Sequence, residues 1–226
     1  MVIVFDLDDT LYEDRSFVLS GFNAVAHYLA PILLLDQSFI YNQLELELAQ
    51  NRNEVFNRFL SKLGINEKRL IAKCLSVYRG HDPKICLYPE ANACLNRLNQ
   101  FPLYVVTDGN KIVQKKKFLA LGLSDRIKKC LCTYAYGIQH SKPSPYCFFK
   151  ICLLEKVNPS EVIYIADNPK KDFIGIKPLG FHTIRVLTGP YSKMIVDSKN
   201  EAEIVVENLD KITFDFLLDI FKKKIS

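Results

Sequence analysis

From about residue 100 onward the chain alternates short apolar runs with longer amphipathic stretches, and this alternation restricts the fold more than any other feature. The apolar runs fall at 103–106, 129–133, 162–166 and 182–187, with a shorter one at 203–206. Between them, helical periodicity appears at 110–121, 145–155 and 169–179. The last stretch starts on Pro169, a good first-turn residue, and stops at Gly180, a good C-cap. Strands separated by helices predict a parallel sheet wrapped on both faces. One further apolar run, Val2-Ile3-Val4-Phe5, opens the chain and reads as a buried parallel strand.

Residues 15–85 follow a different pattern. Helical periodicity covers 17–29, 37–49, 54–63 and 67–78, with no convincing strand, and Gly64 followed by Asn66 marks a stop and a new start. Pro83 and Pro89 make 80–89 a return linker. The expected architecture is α/β: a Rossmann-like parallel sheet flanked by helices, formed by residues 1–14 and 86–226, with an α-helical insert at 15–85. An insert at this point is expected to sit over the carboxyl end of the first strand, as a lid that excludes water.

Composition narrows the function classes. With 226 residues, 49% of them hydrophobic, the chain can build one sizeable core and a smaller insert. No apolar stretch approaches the ~20 residues that span a bilayer; the longest candidate, 28–35, contains Pro31. A strand with an acid at position 6 is not the expected start of a secretory signal. The seven cysteines form no Cys-x-x-Cys pair and no zinc-like grouping, so reduced thiols in a cytoplasmic protein are expected. The net charge of +5 is modest. Lys115-Lys116-Lys117 reads as the solvated face of a helix, and Lys222-Lys223-Lys224 suits the C-terminal end of the last helix. No basic stripe is interleaved with aromatics, so neither nucleic acid nor membrane is an expected partner. The sequence carries no signal for oligomeric state.

The chemistry lies at the strand ends, where ligands of open α/β sheets bind. The first strand runs into Asp6-Leu7-Asp8-Asp9-Thr10, which places Asp6 and Asp8 two apart on an extended chain and toward one side. The same residues would also suit an acidic turn. The run at 103–106 ends in Thr107-Asp108-Gly109-Asn110, a hydroxyl and a glycine turn that can offer N–H groups to an anion. Lys142 stands in the Pro-stiffened segment Ser141-Lys142-Pro143-Ser144-Pro145. The run at 162–166 ends in Asp167, with Asp172 five residues on. Asp6, Asp8, Asp167 and Asp172 in one crevice would repel one another and raise one another's pKa values, a conflict that a divalent cation removes. All-oxygen ligation with room for water suits Mg²⁺, and the matching anion is a phosphoryl group.

These four segments resemble the four motifs of the haloacid dehalogenase-like hydrolase superfamily, in family order and over essentially the whole chain. The resemblance implies that Asp6 is the nucleophile and that Asp8 is the general acid/base. It further implies phosphate contacts from Thr107, Asp108 and Lys142. Asp6, Asp167 and Asp172 would hold Mg²⁺ together with the backbone carbonyl of Asp8. The helical insert is similar to the cap of subfamily I. In the family, dehalogenases lack a carboxylate at the position of Asp8, so its presence favours phosphate-ester chemistry. The expected activity is an Mg²⁺-dependent phosphatase acting on a small phosphorylated metabolite of sugar phosphate, nucleoside monophosphate or phosphoglycolate type, through an aspartyl-phosphate. A phosphomutase and a catalytically silent phosphate-binding protein are the alternatives. Tyr12, Arg15, Arg79 and His81 are the candidate contacts to the leaving group.

Overall fold

The structure is a computed structural model, and its described residues are 1–222. Lys223 and Lys224 of the C-terminal basic run lie outside them. The chain divides into two compact units, Met1–Asp14 with Cys86–Ser226, and Arg15–Ile85.

The first unit is built on a six-stranded sheet: β1 (Val2–Phe5), β2 (Leu103–Thr107), β3 (Lys129–Cys132), β4 (Val162–Ala166), β5 (His182–Val186) and β6 (Ile204–Val206). The strand order is β3-β2-β1-β4-β5-β6 and every neighbouring pair is parallel. The α/β Rossmann-like fold expected from the alternation is therefore present. Every residue of β1, β2, β4 and β5 is buried, which is why β1, β2 and β4 read as near-continuous apolar runs rather than alternating ones. The edge strands β3 and β6 are only partly covered. From β1 the chain builds outward through β2 and β3, then returns to the other side of β1 with β4. The order thus reverses between β1 and β4, and the crevice at that switch point is where open α/β sheets bind ligands.

Helices α5 (Pro89–Arg97), α6 (Lys111–Ala120), α7 (Tyr146–Glu155) and α8 (Phe214–Lys222) belong to this unit. Two differences from expectation stand out. Helix α5 begins on Pro89, at the end of what read as a linker, because Pro fits the first helical turn. Conversely, residues 169–179 form turns and one short 3₁₀ helix, Lys177–Leu179, instead of an α-helix. A Cβ at Gly175 would lie 1.7 Å from the Pro143 carbonyl oxygen, so this segment is pressed against the Lys142 loop. Pro178 also lacks the N–H that a continuing helix needs.

The second unit is all-helical: most of α1 (Asp14–Leu33), then α2 (Gln37–Gln50), α3 (Val55–Lys62) and α4 (Lys68–Gly80). Its core gathers Val18, Phe22, Val25 and Leu29 of α1 with Ile40, Leu44, Phe56, Phe59, Leu60 and Cys74. Burying such side chains contributes ~1.5–3 kcal/mol apiece before entropy is counted. Helix α1 runs 20 residues and, by length and composition alone, is apolar enough to cross a membrane, contrary to the expectation that no stretch comes close. Its apolar side is the one that supplies the core contacts of this unit. All seven cysteines are unpaired, with Cys86 exposed and Cys74, Cys94, Cys147 and Cys152 buried.

Candidate active site

The site forms where β1 and β4 end side by side. Phe5 pairs with Ile165, and the Asp6 N–H donates to the Ile165 carbonyl at 2.9 Å, so Asp6 and Asp167 leave the sheet as neighbours. Asp9 takes a left-handed φ of 57°, and its carboxylate accepts the N–H of Asp14 at 3.0 Å. The Thr188 hydroxyl holds the Asp9 carbonyl at 2.5 Å. Such contacts stabilise a backbone conformation that few residues adopt. The turn after β1 is therefore fixed from two sides.

One side of the site is a carboxylate cluster. Asp6, Asp167 and Asp172 are buried, and each offers one oxygen within 4.8 Å of the others. Lys142, itself buried, places Nζ at 2.8 Å from Oδ1 of both Asp6 and Asp172. It also donates to the Tyr164 hydroxyl at 3.0 Å, and Tyr164 donates to Asp172 at 3.1 Å. The other Asp172 oxygen accepts the Asn168 N–H at 3.0 Å. Burial, reinforced by Asp6 and Asp172, pushes the Asp167 carboxyl up to about 9. Burial also raises Asp6, against the pull of Lys142. Although burial opposes it, the charge of Lys142 is held by Asp172 and Asp6. Three buried carboxylates thus face one ammonium. That imbalance, with an all-oxygen donor set, fits a divalent cation.

The other side is a nest around Asp8. Oδ1 of Asp8 accepts from the Tyr12 hydroxyl at 2.6 Å and from Lys117 Nζ at 2.7 Å, while Oδ2 accepts from Gln114 Nε2 at 2.9 Å. Lys117 also bridges to Asp14 at 2.8 Å, and Gln114 reaches the Thr107 hydroxyl at 2.5 Å. Burial raises the Asp8 carboxyl while Lys117 pulls it down. A cavity of about 180 Å³ joins the two sides, lined by Asp6, Asp8, Thr107, Asp108, Asp167, Lys171 and Tyr191. It is smaller than the several hundred Å³ typical of drug-sized ligand pockets and suits a small ester.

The structure thus gathers Asp6, Asp8, Thr107, Asp108, Lys142, Asp167 and Asp172 into one region, but some take other positions than expected. The Asp8 side chain stands outside the carboxylate cluster. The Asp108 carboxylate accepts from Thr133 Oγ1 at 2.7 Å and the Lys142 N–H at 3.1 Å, and it pairs with Lys171 at 2.9 Å. It therefore braces the Lys142 loop, and its own charge would repel a phosphate. Tyr12 is fully buried and its hydroxyl serves Asp8, so it does not face a leaving group. In the helical unit, Arg15 pairs with Glu45 at 3.1 Å and Arg79 is exposed on α4. His81, the remaining candidate contact, is buried with its ring against Phe17 and its Nδ1 at 2.6 Å from the Tyr78 carbonyl.

Lys117 overturns the reading of Lys115-Lys116-Lys117 as a solvated face: it is 4% exposed, while Lys115 remains outside. The missed signal was spacing. Gln114 and Lys117 are three apart on a helix that begins just beyond Thr107, so they share its site-facing side. Tyr164, the one polar residue within the aliphatic strand β4, was the other legible sign.

The sequence profile of the haloacid dehalogenase-like hydrolases matches residues 1–180. The chain belongs to this hydrolase family. A glyceraldehyde 3-phosphate phosphatase of Pyrococcus furiosus is 29% identical over 93% of this chain and 90% of its own length. The Methanopyrus kandleri protein of the same name is 27% identical over 92% of each chain. Among solved structures, a 2-haloacid dehalogenase from Pseudomonas syringae superposes with a TM-score of 0.66 at 22% identity, covering 99% of this chain and 100% of that one. At that identity the likeness speaks for the fold alone.

Proposed function

We propose that this hydrolase is an Mg²⁺-dependent phosphatase that cleaves a small phosphomonoester through an aspartyl-phosphate on Asp6. The observation that carries this reading is the buried trio Asp6, Asp167 and Asp172 with Lys142 between two of them. Mg²⁺ held by Asp6, Asp167 and Asp172, with the Asp8 carbonyl that the family resemblance adds, would supply positive charge for the phosphoryl oxygens. Lys142 adds its own charge to those oxygens while fixing the Asp6 carboxylate. Thr107, which lines the same cavity, donates its hydroxyl to the phosphate in this reading.

Asp6 attacks phosphorus, a P–O bond forms to its carboxylate and the ester P–O bond breaks. The departing oxygen takes a proton from Asp8 and leaves as the alcohol. Water then attacks phosphorus, gives its proton back to Asp8, and releases inorganic phosphate with Asp6 restored. The sum is ester plus water to alcohol plus phosphate, with no other reactant.

The small cavity favours a short substrate. The Pyrococcus and Methanopyrus relatives are named for glyceraldehyde 3-phosphate, which favours a triose phosphate within the sugar phosphate class. Purified protein assayed with Mg²⁺ against glyceraldehyde 3-phosphate, phosphoglycolate, nucleoside monophosphates and p-nitrophenyl phosphate tests the reading. Turnover is expected in the wild type, with a ~10³-fold or greater loss in Asp6→Asn. Asp6→Asn turning over at the wild-type rate would defeat the nucleophile assignment.

A further inference from the structure

We propose that Lys117 is a positioning residue for Asp8: together with Tyr12 it occupies Oδ1 and leaves Oδ2 as the oxygen that serves the leaving group. This rests on the reading of Asp8 as the acid/base. Both donors meet the same oxygen, at 2.6 Å from Tyr12 and 2.7 Å from Lys117. Lys117 is fixed in turn by Asp14, at 2.8 Å, so it cannot swing away without leaving the buried Asp14 carboxylate and the half-buried Asp8 carboxylate facing each other. The remaining oxygen, Oδ2, shares the Gln114 amide with Thr107, a residue that lines the same cavity as Asp8. The nest therefore turns one edge of Asp8 toward the fold and the other toward the reacting group. Neither Lys117 nor Tyr12 lines that cavity, so both act through Asp8.

This role has a signature that general scaffolding lacks. An alkoxide leaving group needs a proton far more than a nitrophenolate does, so misplacing the acid penalises the alkyl ester selectively in kcat/KM, which ends at leaving-group departure; the later hydrolysis that Asp8 also serves is common to both esters. Steady-state kinetics of wild type, Lys117→Met, Tyr12→Phe, Asp8→Asn and the Lys117→Met/Asp8→Asn double variant, on glyceraldehyde 3-phosphate and p-nitrophenyl phosphate, read it directly. For Lys117→Met, kcat/KM on the alkyl ester is expected to fall ~30-fold or more, and on the aryl ester by less than about threefold. Tyr12→Phe is expected to show the same selectivity with a smaller loss, and it decides the matter if Lys117→Met does not fold. On the Asp8→Asn background, Lys117→Met is expected to cost less than about threefold more, because its effect passes through the group already removed. Equal losses of kcat/KM on both esters, or an undiminished loss in the double variant, would overturn the proposal and make Lys117 a structural residue. If Asp8→Asn itself shows no ester selectivity, the acid/base reading fails and the proposal with it.

Discussion

The two halves of the site are built from the same materials and balanced differently. Around Asp6, three buried carboxylates share one ammonium, that of Lys142. Around Asp8, two carboxylates share Lys117 and also receive a phenol and an amide. The first arrangement is left with uncompensated negative charge in a low-dielectric setting, which costs free energy unless a cation arrives. The second comes closer to satisfying itself and holds a single side chain in one orientation. A cluster of acids in this crevice thus takes one of two forms according to its partners: a site waiting for a charge, or a clamp.

The comparison breaks most visibly if Lys142 is removed. Lys142→Met leaves Asp6 and Asp172 facing each other without their shared ammonium, and removing one partner from such a buried arrangement costs ~3–5 kcal/mol. Urea unfolding of the metal-free protein should show a loss of that size, accompanied by loss of turnover. A change below ~1 kcal/mol would mean that the cluster is already solvated or neutral.

A smaller effect separates the halves by pH. In the folded, metal-free chain Asp167 keeps its proton up to about 9, whereas an unfolded Asp releases it near about 3.9. Between those values the folded state binds more protons than the unfolded state, so Asp167 makes metal-free stability fall as pH rises through the window. A cation that displaces the proton reverses the trend. The gain in melting temperature on adding Mg²⁺ should therefore be larger near about pH 8 than near about pH 5. An equal gain at both would contradict the raised Asp167.

The sequence made the first half of the site more legible than the second. Asp6, Thr107 and Asp167 end apolar runs, and Lys142 sits in a proline-marked loop, so each carries a local signal that strand-end chemistry can interpret. Lys117 carries the opposite signal, because it sits in a run of three lysines whose other members suggest solvent. Only the angular position of residue 117 on α6, relative to a cavity made by distant strands, turns it inward. The helix expected at 169–179 failed for a similar reason. Gly175 is pressed against the Pro143 carbonyl, a contact between segments more than thirty residues apart that no local propensity records. Tyr12 looked like a substrate contact because it follows the acidic segment, but the turn fixed by Asp9 buries its ring and points its hydroxyl at Asp8.

The contrast between the halves is tested most directly by titrating Mg²⁺ calorimetrically into wild type, Asp167→Asn and Lys117→Met. The account predicts one saturable site in wild type, its loss in Asp167→Asn, and its retention in Lys117→Met, because the nest around Asp8 is a clamp rather than a cation site. Undiminished Mg²⁺ binding by Asp167→Asn would contradict it.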